Sequence, residues 1–172
     1  MNEKKILVVE DDGVLRDVLV EKLRVSGYSP LGAEDGEVAI QKIKEEKPDM
    51  ILLDILMPKK DGMEVLEDMS KDDDMKNIPV IVISNSGQPV EIERARSLGA
   101  KDFLVKAIFD PNEVLEKVEK ILNETSSSEG GTESKEFSVD KGSFSPASAG
   151  VSVSNKSIIS SSEGDDGTKG KI

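Results

Sequence analysis

The stretch Ile51-Leu52-Leu53-Asp54-Ile55-Leu56-Met57-Pro58 sets an acid inside an otherwise apolar run that closes on a proline. A carboxylate buried without partners is costly, and in practice its pKa shifts until it neutralises. Two readings follow. Asp54 is a cap at the end of a buried strand, or it stands at the mouth of a site whose other members lie elsewhere in the chain.

Working outward from that run, strand and helix signals alternate over residues 1–123. "KILVV", "DMILLD" and "IPVIVIS" are short apolar runs of the kind found in strands buried on both faces. "KDFLVK" is a further strand, and "YSPLGA" is a weak one whose proline points to an edge or a bulge. Between them lie helical segments. "VLRDVLVEKLRVSG" sets Val14, Val18, Leu19 and Leu23 at helical spacing and ends on Gly27, a good C-terminal cap. "GEVAIQKIKEEKP" stops before Pro48, and "MEVLEDMS" makes a short helix. "PVEIERARSLGA" accepts Pro89 in its first turn. "DPNEVLEKVEKILN" opens with Asp110 as N-cap, Pro111 at N1 and Glu113 at N3. Five β-then-α units with near-continuous apolar strands imply a parallel sheet covered by helices on both faces. In such sheets, sites lie outside the carboxyl ends of the strands.

Composition narrows the chemistry. Among 172 residues there is no cysteine and no histidine. That excludes disulfides, thiolate metal sites, the usual zinc sites and histidine-based triads. Carboxylates, hydroxyls, lysines and backbone remain. The formal charge of −12 argues against this chain gripping nucleic acid or an anionic membrane. No apolar run approaches the roughly 20 residues of a membrane span. "MNEKK" lacks the apolar core of a secretory signal, so the expected compartment is the cytoplasm. From Glu124 the chain turns rich in Ser, Gly and scattered charge, and residues 124–172 are expected to be a disordered acidic tail. Its apolar spots (Phe137, Phe144, "VSVS", Ile158-Ile159) lack helical period and read as short docking motifs or as nothing.

The strand ends then carry the argument. Glu10, Asp11 and Asp12 follow the first strong strand, and Asp54 ends the second. Ser84 ends the third and Lys106 the fourth. Alone, each has an ordinary explanation: a helix cap, a turn hydroxyl, a solvated ammonium. Together, at one edge of one sheet, they make a site. Several carboxylates in one crevice do not all ionise without a cation. A donor set of oxygens suits a hard ion, Mg²⁺ or Mn²⁺. Lys106 adds a positive charge and Ser84 a hydroxyl, and a carboxylate beside a metal can attack phosphorus.

In "ILVVEDD", "LLDILMPKKDG", "VIVIS" and "FLVK", in that order, residues 4–122 resemble the receiver domain of bacterial two-component response regulators, of the chemotaxis-regulator type. The resemblance implies a flavodoxin-like (βα)5 doubly wound parallel sheet in the order 2-1-3-4-5. It implies that Asp54 accepts a phosphoryl group from a histidine kinase's phosphohistidine. Asp11 and Asp54 would bind Mg²⁺ directly, the backbone carbonyl of Leu56 would add a ligand, and Glu10 would contribute through water. Asp12 would mainly cap the first helix. Ser84 and Lys106 would engage the phosphoryl oxygens. Phe103, three residues before the lysine, falls at the position of the family's switch aromatic, or is plain core packing. In this picture Asp54 lies at the exposed end of its strand, and Pro58 and Gly62 shape the loop beyond it. The output face would be roughly 89–122, also a candidate homodimer surface. The expected partners are a sensor histidine kinase or phosphotransfer protein and a downstream protein, with no direct DNA contact.

Two features depart from the family pattern. Ala107 stands where proline usually follows the lysine in a cis bond, so a trans bond is expected. Asn85, larger than the family's usual small residue, is expected to narrow access for water and lengthen the phosphoryl lifetime. No helix-turn-helix pattern follows residue 123, so a stand-alone receiver is expected. It is expected to catalyse only its own aspartyl phosphorylation and dephosphorylation and not to act on an external substrate: phosphatases of the haloacid dehalogenase type want a second acid two residues after the nucleophile, where Leu56 stands. The alternative is a pseudo-receiver, the same fold used as a constitutive protein-binding module.

Overall fold

The structure, a computed structural model, describes residues 3–108 and 110–127. The apolar spots noted between Phe137 and Ile159 lie outside the described residues. The elements alternate as β1 (Lys5–Val9), α1 (Gly13–Val25), β2 (Ser29–Ala33), α2 (Gly36–Glu46) and β3 (Met50–Asp54). They continue as α3 (Gly62–Lys71), β4 (Val80–Ser84), α4 (Pro89–Ser97), β5 (Asp102–Val105) and α5 (Pro111–Ser127). All strands pair in parallel, in the order β2-β1-β3-β4-β5. Pro30 sits in β2, an edge strand, where a missing N–H costs no central ladder bond.

Side-chain alternation divides the core between the two faces of the sheet. Leu7, Val9, Ile51, Leu53, Val80, Val82 and Phe103 pack with α2, α3 and α4. Ile6, Val8, Met50, Leu52, Ile81, Ile83 and Leu104 pack with α1 and α5. β3 and β4 are buried along their whole length, as the apolar runs require.

Helix ends follow local chemistry. Asp12 caps α1 by accepting from the N–H groups of Val14 and Leu15. Asp61 and Glu64 form a reciprocal capping box on α3. Asp110 accepts from the N–H of Asn112 at 2.8 Å. Gly27, with φ of 86°, turns the chain after α1.

Two expectations change. Val14 and Val18 are not on the buried stripe of α1: they are 76% and 46% exposed. The helix packs instead through Leu15, Leu19 and Leu23, one residue every turn. The composition boundary at residue 123 does not end α5, which runs on to Ser127. The Thr125 and Ser126 hydroxyls donate back to the Ile121 and Leu122 carbonyls within these last turns.

Candidate functional site

Register explains why the strand-end groups meet. Val8, Leu52 and Leu104 face the α1/α5 side. Two residues on, Glu10, Asp54 and Lys106 continue that parity at the carboxyl edge. The ladder itself continues far enough to aim them: the Glu10 N–H donates to Ala33 O at 3.0 Å, and the Lys106 N–H to Ser84 O at 2.7 Å. Arg16 donates to the Glu10 carbonyl at 2.7 Å and fixes that backbone from the α1 side.

One carboxylate oxygen from each of Glu10, Asp11 and Asp54 lies within 4.8 Å of the other two. Lys106 Nζ stands between two of these acids, 2.7 Å from Glu10 Oε2 and 2.8 Å from Asp54 Oδ2. The second contact is close enough for an ion pair but lacks hydrogen-bond geometry, so the buried Oδ2 has no hydrogen-bond partner. Oδ1 accepts from the Leu56 N–H at a long 3.3 Å. Asp54 is therefore not at an exposed strand end: it is 1% exposed. The loop that leads into α3 folds back against the end of this central strand.

Burial pushes the Asp54 carboxyl above its ordinary range, and the adjacent Lys106 ammonium opposes this only in part. Burial likewise raises Glu10, again against Lys106. Burial alone would lower Lys106, but Asp54 and Glu10 together hold it above its usual value. The site is short of positive charge for the acids it holds. An unpartnered buried oxygen and three converging carboxylates fit a hard divalent cation, which takes oxygen ligands.

Ser84 is fully buried, and its Oγ accepts from the Ser86 N–H at 3.2 Å. It lies on the opposite strand parity, with Val80 and Val82 on the α4 side. Phe103 shares that side and is packed inward at 8% exposure. The Lys106–Ala107 bond is trans, as no described peptide bond is cis. Three exposed apolar residues follow site residues closely in the chain: Val14 after Asp11, Leu56 after Asp54 and Ile108 after Lys106.

The loop from β3 to α3 is tightly drawn. The Gly62 N–H donates to Ile55 O at 2.9 Å, and a Cβ on Gly62 would stand 2.1 Å from the Asp54 carbonyl oxygen. Only glycine permits that approach. Asp35 and Lys59, which sequence reasoning did not single out, meet at 2.5 Å beside this loop. The available signal was Asp35 directly before the α2 run, a cap position.

A family model described as the response regulator receiver domain matches residues 6–119. The chain is 37% identical over 119 residues to the chemotaxis protein CheY of Thermotoga maritima, covering 69% of this chain and 97% of that one. It is 38% identical over 119 residues to the alkaline phosphatase synthesis transcriptional regulatory protein PhoP of Bacillus subtilis, covering 69% of this chain and 48% of that one. The chain spans about half the length of several curated relatives it matches. Among solved structures, it resembles the CheX-CheY-BeF3-Mg²⁺ complex from Borrelia burgdorferi, with TM-score 0.64, 33% identity, and coverage of 69% and 88%. Among the described residues no helix is long and apolar enough to cross a membrane.

Proposed function

The chain belongs to the response regulator receiver domain family of two-component signalling, and on that premise we propose that Asp54 is its phosphoacceptor. The observation that carries this reading is the buried Asp54 Oδ2, 2.8 Å from the Lys106 ammonium yet without a hydrogen bond, beside the carboxylates of Glu10 and Asp11. An Asp54 oxygen attacks the phosphorus of a phosphohistidine. The phosphorus–nitrogen bond breaks, and its electron pair returns to the imidazole. Asp11, Asp54 and the Leu56 carbonyl would hold Mg²⁺ or Mn²⁺, with Glu10 acting through water. When bound, the ion neutralises the acids and draws charge from the phosphoryl oxygens. Lys106 supplies the second positive charge and Ser84 a hydroxyl donor to those oxygens.

Ser84 and Phe103 share the α4 side of the sheet, which supports a switch in which movement of the hydroxyl is felt at the aromatic and on the face formed by residues 89–122. That face would serve a downstream protein or a second copy. Exposed Val14, Leu56 and Ile108 support docking of a protein donor, a sensor histidine kinase or phosphotransfer protein, near the site mouth. No DNA contact enters this reading, and its compartment is the cytoplasm.

The test is intact mass after incubation with acetyl phosphate and Mg²⁺. We expect a labile gain of one phosphoryl group, absent in Asp54→Asn and without metal. A folded wild type that never gains it, from acetyl phosphate or from histidine kinases, would favour the constitutive binding module.

A further inference from the structure

The loop between β3 and α3 is fastened from a second direction. Lys59 and Lys47 are the two non-glycine residues with positive φ among the described residues, and Lys59 stands at 63°. A side chain is strained in that left-handed region, so surrounding contacts must hold it. Its ammonium lies 2.5 Å from Asp35 Oδ2. This is not an ordinary surface pair, because the Asp35 side chain is only 2% exposed, although that of Lys59 is 55% exposed. The other Asp35 oxygen caps α2 through the Val38 N–H at 2.9 Å. Next in each chain segment, the Gly36 N–H donates to Lys60 O at 3.2 Å. A Cβ on Gly36 would stand 2.4 Å from that oxygen. Thus the start of α2 grips residues 59–60 while Gly62 grips residues 54–55. Leu56, Met57 and Pro58 are stretched between the two.

We propose that the Asp35–Lys59 pair is a positioning device for the divalent-cation site: it holds residues 56–58 in the shape that presents the Leu56 peptide to Asp54. This rests on the phosphoacceptor reading above. Neither Asp35 nor Lys59 touches the ion or the phosphoryl group. They act through the loop, as outer contacts orient the groups that ligate a metal.

The test uses the full chain with Lys59→Met, Lys59→Arg and Asp35→Asn. Asparagine keeps the helix cap and removes only the charge. Two quantities are read: Mg²⁺ affinity by calorimetry, and amide hydrogen exchange of Leu56 and Gly62 without metal. We expect Lys59→Met and Asp35→Asn to weaken Mg²⁺ about 10-fold and to speed exchange at both amides. Lys59→Arg restores both. At saturating Mg²⁺ the acetyl phosphate labelling rate of Lys59→Met returns to that of the wild type, because Asp54, Ser84 and Lys106 are intact. Wild-type affinity and exchange in both Lys59→Met and Asp35→Asn would overturn the proposal. A wild type that takes up no Mg²⁺ would overturn the reading beneath it and the metal role together, while exchange would still report whether the pair orders the loop.

Discussion

The molecule uses one pairing, ammonium with carboxylate, in two regions and to opposite effect. At the strand ends, Lys106 faces two buried acids, and the Asp54 and Glu10 carboxyls are still pushed up by burial. Beside the α2 cap, hydrogen-bonding from Lys59 and from the Val38 N–H holds the Asp35 carboxyl below its ordinary value. Opposite shifts mean opposite balances. Asp35 is satisfied: each of its oxygens has a donor, and its charged form is the stable one. Asp54 is not: its desolvation exceeds what one shared ammonium supplies. A satisfied pair is suited to holding a loop. An unsatisfied one is suited to taking up charge, whether a proton, a cation or a phosphoryl group with its ion.

The largest break in that comparison is Lys106→Met. It removes the cation shared by Glu10 and Asp54 and leaves both acids buried. Labelling from acetyl phosphate with Mg²⁺ is expected to fall about 10²-fold, the usual cost of losing one preorganised charge at a transition state. Mg²⁺ itself should bind more tightly, because no ammonium competes for the carboxylates. Labelling rates and calorimetry on the same samples check both, and unchanged labelling would remove Lys106 from the site.

Gly62→Ala comes next. Its Cβ would meet Asp54 O, Ile55 Cα and Asp54 C, all backbone, so the loop must shift rather than a side chain. We expect a loss of about 1–3 kcal/mol in denaturant unfolding, the range for overpacking, with weaker Mg²⁺ binding. Equal stability would show that the loop is looser than its contacts imply.

These two tests fall on either side of what the sequence makes legible. Residue type at the end of a strongly apolar strand is written in the chain, so Glu10, Asp54, Ser84 and Lys106 could be gathered before any coordinates. The parallel register then brings them together with no further instruction. Depth is less legible. Asp54 reads as strand-terminal and so as accessible, yet a central strand's end is covered by whatever its neighbouring loops do. Val14 and Val18 show the same limit: helical spacing names a stripe but not which of two adjacent stripes meets the sheet. Asp35 and Lys59 were least visible. They are 24 residues apart, on loops that converge only because β2 and β3 flank β1, and nothing in the sequence marks the left-handed turn at Lys59.

The acid side of the pH profile separates the two regions directly. Asp54 and Glu10 have folded pKa values above their unfolded ones. The folded state therefore binds protons more tightly, and these groups add stability as pH falls from neutral into the carboxylate range. Lys106, raised above its ordinary value, keeps its contribution throughout that window and loses it only at alkaline pH. Metal-free protein should then gain a few degrees in Tm between about pH 7 and pH 5. Saturating Mg²⁺ should abolish the gain, because the ion binds the deprotonated acids. Melting curves with and without Mg²⁺ decide it, and a metal-free Tm that falls over that interval would contradict the charge shortage assigned to the site.

The smallest effect lies at Asp35, and its sign is reversed. Its folded pKa is depressed, so its contribution is present above the ordinary carboxylate value and is lost as pH falls below it. Asp35→Asn keeps the cap and removes that titration. At neutral pH the variant should melt slightly lower than wild type, by little, because Lys59 is half in water and solvent screens the pair. Below the carboxylate range the difference should close, since wild-type Asp35 is then neutral as well. Paired melting curves down the acid limb measure the convergence. A gap that persists at the lowest pH would mean that asparagine disturbs the cap rather than the charge, and the holding role would then belong to the hydrogen bonds of Asp35 and Gly36 rather than to the ion pair with Lys59.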